Sequence, residues 1–598
     1  MFLRAHHRRK NGKPHRYFSV VENRRLSDGS VTQRQLLYLG EINDGQEAAW
    51  RKTLSVFDEQ RQRPETLALF PEDRALPPEA VNALHVQLDR IELKRPRAFG
   101  DCWLACEFWR HLHLDRFWNE KLGAARGRVS WAKVLQLLAV NRLIDPGSEF
   151  RLHRQWFDRS AMDVLLETDF AVASKDRLYR CLDRLLAHKD ELFRHLKRRW
   201  EDLFHASFDV LLYDLTSTYF EGLCESIPKA KHGYSRDSRP DCRQVVVALV
   251  VTPDGLPLAY EIMPGNTSDK TTLRGFLKLI EERYGKARRT WVMDRGIPTE
   301  EVLQEMREQG VQYLVGTPKG KLTKLEKSFL PLPWRKVHDG VSVKLLEESD
   351  ELLVLAKSEA RASKEIAMRR RKLKKLFNGL LALRRQAPER DVLLQKIGAL
   401  KHDAGRAAGL VELAIPAVKV QITNETFRWA LRAEKFKRAE KRDGNYILRT
   451  NLKHEAPEIL WQRYIQLTEV EAAFKSLKSD LAVRPVFHQL ERRVEAHIFV
   501  AFLGYCLTAT LRKWLSVHAP GLTPRAVLEK LAAIQMIEVW LPTSDGRWLI
   551  MPRYTQPERD QQMLLSKLKL NLPEQPPPRI RANTPTPTRK GRRFVVET

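Results

Sequence analysis

Residues 461–481 read WQRYIQLTEVEAAFKSLKSDL, and the fold turns on this stretch. Tyr464, Leu467, Glu471, Phe474, Lys478 and Leu481 follow one another at alternating steps of three and four. On a helix that spacing draws one continuous stripe. Tyr464, Glu471 and Lys478 are seven apart and stack nearly in register, and Val470, Ala473 and Leu477 form an apolar row beside them. Glu471 therefore sits on or beside a buried face, where a carboxylate needs a partner because burying a lone charge is expensive. Glu471 and Lys478 are either edge charges solvated by snorkelling, or a cation holder and an ammonium that faces an anion. Further carboxylates in the chain decide between the two.

Working outward, FDVLLYDLTSTYF (208–220) is β-rich, and RQVVVALVVTPDGLPLAYEIMPGN (243–266) reads as two strands joined at Pro253-Asp254-Gly255. TLRGFLKLIEERYG (272–285) is an amphipathic helix, and RTWVMDRG (289–296) is a short apolar strand that ends on an acid. PTEEVLQEMREQG follows as a helix with Pro298 near its start and Gly310 at its end, and then QYLVGTP (312–318) as a strand. The order β, β, β, α, β, α, β implies one mixed sheet with helices over it, an α/β fold.

Two acids stand in informative places on that sheet. Asp214 interrupts the apolar run LLYDL, and Asp294 ends WVMD before a turn at Arg295-Gly296. Ligands of open α/β sheets usually bind at strand ends. Two such acids with Glu471 from a covering helix form an all-oxygen set, which hard divalent cations such as Mg²⁺ prefer. A pair of such ions about 3.5 to 4 Å apart activates a hydroxyl and stabilises the leaving oxygen of an in-line phosphoryl transfer.

The rest of the composition agrees with a polyanionic substrate. The net charge is +29 over 598 residues, which points to nucleic acid, with an anionic membrane as the competing partner. No apolar run of span length and no signal peptide are evident. EAHIFVAFLGYCLTATLRKWL (495–515) reads as a core helix. Six scattered cysteines, including Cys102 and Cys106 four apart, read as reduced core thiols in a cytosolic protein.

Residues 16–39 read as a hairpin around Asp28-Gly29, and about 45 to 200 as a basic helical region suited to gripping DNA phosphates. Residues 358–412 look like a charged helical hairpin broken at Ala387-Pro388, carrying the basic run Arg369 to Lys375. Strand-like pieces flank it, and DGNYILRTN (443–451) returns the chain to the sheet. The Pro-, Thr- and Arg-rich tail from about 573 reads as disordered.

Taken together, these segments resemble a DDE transposase of bacterial insertion sequences, in the broad group with a Tyr-Arg-Glu-Lys signature. Tyr464, Glu471 and Lys478 match that signature, and Leu467 stands where Arg is expected. YDLTSTYFEG and WVMDRG resemble the segments around the family's two aspartates, Asp214 and Asp294. The gap from Asp294 to Glu471 is more than twice the gap between the aspartates, similar to members with a domain inserted before the Glu helix. GNTSDKTTL, DGNYILRTN and RPVFH are also similar to family segments. The resemblance covers roughly 208–515, and the N-terminal segment, 1–40, looks like one subgroup's start.

The resemblance implies a ribonuclease H-like core interrupted by an inserted α+β domain. The expected parts are a hairpin segment (1–44), a helical DNA-binding region (45–200), the first part of the core (201–318), the insertion (319–455), the second part with the Glu helix (456–545) and a basic tail (546–598). It also implies Mg²⁺-dependent (Mn²⁺ as substitute) cleavage of double-stranded DNA at inverted repeats, followed by joining of the 3′-hydroxyl to target DNA. Asp214, Asp294 and Glu471 would hold two ions. Tyr464 and Lys478 would contact phosphates, with Arg463 and Arg484 compensating for Leu467. Trp334 and Trp429 are the insertion's candidates for stacking on a flipped base. A homodimer or larger assembly in the bacterial cytoplasm, associated with the nucleoid, is expected. The alternatives are a nuclease of the same fold without strand transfer, or a DNA-binding protein with an inactive core.

Overall fold

In the computed structural model, the apolar runs around Asp214 and Asp294 lie side by side in the interior of a nine-stranded sheet. The structure describes residues 2–10, 13–25, 29–40, 74–75, 86–123, 129–285, 288–317, 325, 328–348, 350–418, 420–543 and 546–581.

The chain opens with an antiparallel sheet of β1 (Phe2–Lys10), β2 (Lys13–Arg25) and β3 (Val31–Gly40). The β2–β3 pairing is the hairpin read from the sequence; Asp28 of its turn lies outside the described residues, and β1 adds a strand that the basic start did not suggest. Arg34 and Gln35 tie this sheet to the helical region, at 2.8 Å to Asp158 and 2.8 Å to Arg154 respectively.

Much of residues 45–85 lies outside the described residues. The described part of the region expected to be helical is not wholly so. β4 (Arg74–Ala75) and β5 (Glu92–Ala98) belong to a five-stranded sheet. In β5 the polar residues of ELKRPRA leave no helical face, and the strand pairs with Gln535–Pro542, near the other end of the chain. From Gly100 to Phe204 the described chain is largely helical, and its aromatic residues Trp103, Trp109, Trp118 and Trp200 are fully buried.

The central sheet follows as β6 (Val210–Tyr219), β7 (Gln244–Val251), β8 (Pro257–Pro264), β9 (Thr290–Met293) and β10 (Gln312–Gly316). Helices Leu273–Tyr284 and Glu300–Glu308 fall where the 3.6-residue periodicity placed them. β6 and β10 both run parallel to β9, while β6–β7–β8 is an antiparallel meander. β11 (Arg335–His338), β12 (Val341–Glu347) and β13 (Leu352–Ser358) extend the same sheet.

After β13 the chain leaves the sheet for helices Glu359–Gln386 and Arg390–Ala404 and the ribbon of β14 (Val411–Ala414) and β15 (Arg428–Leu431). Ala387, at φ 40°, makes the break expected at Ala387-Pro388. Leu376, Leu380, Ile397 and Phe427 give this excursion its own apolar core. β16 (Asn445–Thr450) then returns the chain to the sheet, between β13 and β10.

The long helix Glu491–His518 is the apolar centre of the molecule. It contains a window apolar and long enough for a membrane span, yet 89% of that window is buried inside the protein, in keeping with the core helix expected there. β17 (Gln535–Pro542), β18 (Trp548–Tyr554) and β19 (Arg579–Arg581) complete the five-stranded sheet. The segment expected to be disordered from 573 is therefore ordered to Arg581 by pairing with β18, and residues 582–598 lie outside the described residues. All six cysteines are free, and five of them are buried. Burial pushes the Cys106 thiol up to about 12, as suits an inert core thiol.

Candidate active site

Strand register alone brings the two aspartates together. In the parallel pair β6–β9, Tyr213 lies opposite Met293, so the next residue on each strand places Asp214 beside Asp294. In the parallel pair β9–β10, Met293 lies opposite Val315, which puts Gly316 on the other side of Asp294. Asp294 and Gly316 sit at the carboxyl ends of their strands, and Asp214 lies level with them on β6. Gly296, at φ 90°, makes the turn that carries the chain away after Asp294. Gly316 has no room for a side chain: a Cβ would lie 2.7 Å from the Tyr464 hydroxyl and 3.3 Å from Asp294 Oδ1.

The stripe of residues 464–481 forms, but not as one helix. Helix Pro457–Ile465 ends at Gln466, helix Leu467–Lys475 follows, and Ser476–Asp480 is a π-helical turn. Leu467, Val470, Ala473, Phe474 and Leu477 are buried, and the second helix packs against β6 and β7. Glu471 sits at the edge of this buried face and is exposed to a cavity of about 310 Å³. Asp214, Asp294, Tyr464 and Leu467 line the same cavity, with Arg295 and Arg361 at its wall. Three acids far apart in sequence thus share one open space.

The electrostatics follow from that convergence. The Asp214 carboxyl is pushed up to about 7, first by burial and then by the charges of Asp294 and Glu471. The backbone N–H of Leu215, which donates to Asp214 Oδ1 at 2.8 Å, and the nearby Arg236 act in the opposite direction. Burial and the charge of Asp294 also raise the Tyr464 hydroxyl. An all-carboxylate set under mutual repulsion is what a hard divalent cation relieves, so the donor chemistry fits Mg²⁺ or Mn²⁺.

Lys478 is not at this cavity. The π-helical turn is wider than an α-turn and rotates it off the stripe. Its Nζ lies 2.8 Å from Asp237 Oδ1, and Arg484 Nη1 reaches the same oxygen at 2.5 Å. The continuous seven-residue stacking of Tyr464, Glu471 and Lys478 therefore does not form: Tyr464 and Glu471 stand on separate helices that share the cavity, and Lys478 is turned away from it. Asp237 is almost fully buried, and its Oδ2 has no hydrogen-bond partner among the described residues. Arg463 pairs with Glu455 at 3.0 Å. Trp429 packs beside Phe427 under Arg384, while Trp334 is 43% exposed with Lys344 over its ring.

Sequence reasoning missed Arg236, Asp237, Arg361, Tyr446 and Thr317. None belongs to a periodic stripe or ends an apolar run on a charge, so no local signal marked them. A separate acid–imidazole group, Glu149, His488 and His497, brings ligand atoms within 4.8 Å of one another. There Arg142 already supplies a cation, with Nη2 3.9 Å from Glu149 Oε1 and 3.3 Å from His497 Nδ1. His497 Nε2 donates to the Val483 carbonyl, and burial followed by the Arg142 charge pushes the ring down to about 4. That group reads as a structural network joining the helical region to helix Glu491–His518.

Residues 205–507 match the family model described as the transposase DDE domain. Residues 3–64 match the IS1634 family transposase, N-terminal domain. Comparison with curated proteins finds no match. Among solved structures, the chain is similar to the piggyBac transposase in its synaptic complex with hairpin DNA, at 9% identity and a TM-score of 0.34, over 74% of this chain and 82% of that one.

Proposed function

The chain belongs to the insertion-sequence DDE transposases, and on that premise we propose that it cleaves the ends of its element hydrolytically and joins the resulting 3′-hydroxyls to target DNA. In this reading the nine-stranded sheet is a ribonuclease H-like core, and Asp214, Asp294 and Glu471 are its metal ligands. The observation that carries the reading is the register that sets Asp214 beside Asp294, with Glu471 facing the same cavity. Divalent cations held there would supply activation of the attacking hydroxyl and stabilisation of the leaving oxygen.

The chain's own residues do the rest. Asp214 holds a proton on its carboxyl below about pH 7 and must give it up before it can serve as a charged ligand. Arg295, beside Asp294, offers a guanidinium to a phosphate that enters the cavity. Tyr464 presents its hydroxyl at the side of Asp294 that Gly316 leaves open. Lys478 and Arg484 would exchange the Asp237 carboxylate for DNA phosphate, a like-for-like anion swap. Outside the cavity, the exposed residues Arg370, Arg371, Lys372, Lys374 and Lys375 of the excursion form a basic helix face for duplex phosphates.

The test is cleavage of a labelled duplex that carries the element's own ends, with Mg²⁺ and with EDTA. Nicks at the element boundary that need Mg²⁺ and disappear in Glu471→Gln are the expected result. Cleavage that persists in EDTA or in Glu471→Gln would refute the assignment.

A further inference from the structure

The cavity lacks the arginine expected from its own helix, because Leu467 fills that position and is buried in the wall. A guanidinium nevertheless reaches the cavity from elsewhere. Arg361 belongs to the first turn of helix Glu359–Gln386, the start of the excursion from the sheet, and lines the space shared by Asp214, Asp294 and Glu471. From this geometry we infer that Arg361 is a phosphate-binding residue of the active site, delivered to the cavity by the excursion. The inference rests on the proposed DNA cleavage.

Three observations support it. First, the side chain is held in place. Its guanidinium lies over the Tyr446 ring at 4.7 Å, and Tyr446 stacks on Tyr464 at 5.8 Å. The Tyr446 hydroxyl in turn accepts from Trp461 Nε1 at 2.9 Å. Second, the backbone is anchored, because Ser358 Oγ accepts from the Arg361 N–H at 3.3 Å. Third, the charge is under-used. Among the described residues its one ion pair is with Glu365 at 3.4 Å, and the side chain remains 36% exposed. A stacked, partly exposed guanidinium at the cavity wall is pre-organised for a phosphate, since its planar fork matches two phosphate oxygens. Its positive charge also acts on the Tyr464 hydroxyl, which places it within electrostatic reach of the reacting groups.

The test pairs the residue with its phosphate. Wild-type protein and Arg361→Ala are compared on end duplexes in which single phosphates near the scissile bond are replaced, one at a time, by neutral methylphosphonate. Wild type should lose roughly 10- to 100-fold in binding or cleavage at one phosphate. Arg361→Ala should be weaker on unmodified DNA and indifferent to neutralising that same phosphate. Arg361→Lys should recover part of the loss, and Leu467→Arg in the Arg361→Ala background should restore some of it. If Arg361→Ala unfolds the excursion, Arg361→Gln keeps the stem over Tyr446 and carries the same comparison. A variant that cleaves like wild type, or keeps the full wild-type penalty at every phosphate, would overturn the assignment while leaving the metal-dependent reaction standing. A wild type with no cleavage at element ends under any divalent cation would overturn the proposed function first, and this inference with it.

Discussion

Asp214→Asn should stabilise the metal-free protein at alkaline pH while abolishing its chemistry. In the fold, the Asp214 carboxyl sits near 7 against an ordinary value of 3.8, chiefly because of burial. Between those two values the folded state therefore holds a proton that the unfolded chain has released. Stability is unaffected well below 3.8, falls as pH rises past it, and reaches its full loss above about 7. Each pH unit separating the two values is worth about 1.4 kcal/mol, so the charged carboxylate costs about 4 kcal/mol at pH 8 and less than about 1 kcal/mol at pH 4. Asparagine keeps the acceptor for the Leu215 N–H, so the main change is removal of that charge. The measurement is a set of unfolding curves for both proteins in EDTA across pH 5 to 8. The gain from the substitution should grow with pH by a few kcal/mol, and Mg²⁺ should stabilise wild type but not the variant. A gain that is flat with pH, or a variant less stable at pH 8, would refute the electrostatic account of the site.

Other outcomes follow from the same structure. Gly316→Ala should fold yet lose most cleavage, because its methyl would displace the Tyr464 hydroxyl and crowd Asp294; wild-type rates in that variant would contradict the close approach. Asp237→Asn leaves Lys478 and Arg484 facing each other without their shared carboxylate, so it should lower the melting temperature at low salt, with sulfate or duplex DNA restoring it. Glu149→Gln strands the buried Arg142 and should destabilise by about 3 to 5 kcal/mol in chemical denaturation without any change in divalent-ion binding. Affinity for duplex DNA should fall steeply with added salt, as released counterions dictate, and an affinity insensitive to salt would contradict the polyanion reading.

Local order along the chain was legible wherever one periodicity governed it. The meander and the β–α alternation from 210 to 316, the hairpin break at Ala387 and the returning strand at 445–450 all follow from apolar spacing and turn residues. Asp214, Asp294 and Glu471 were also legible, because each acid interrupts or ends an apolar pattern that otherwise has no use for a charge. Leu467 is different: it continues the apolar stripe, and only the family resemblance marks it as standing where an arginine is expected. Residue type and short-range spacing were thus enough for the mixed α/β class and the family resemblance, and enough to single out the three acids that line one cavity.

The company those acids keep is set by long-range packing. β5 reads as part of a helical region because its partner, β17, lies near the far end of the chain, and no local pattern records such a pairing. The break at Gln466 puts Tyr464 on a different helix from Glu471, and the π-turn at Ser476–Asp480 turns Lys478 away from the cavity, so the seven-residue spacing does not survive. Asp237 reaches the cations from a loop, and Arg361 reaches the cavity from the excursion. In both places side-chain position is set by long-range contacts rather than by period. Residue type states which chemistry a chain can perform; strand register and helix breaks state which of those residues meet.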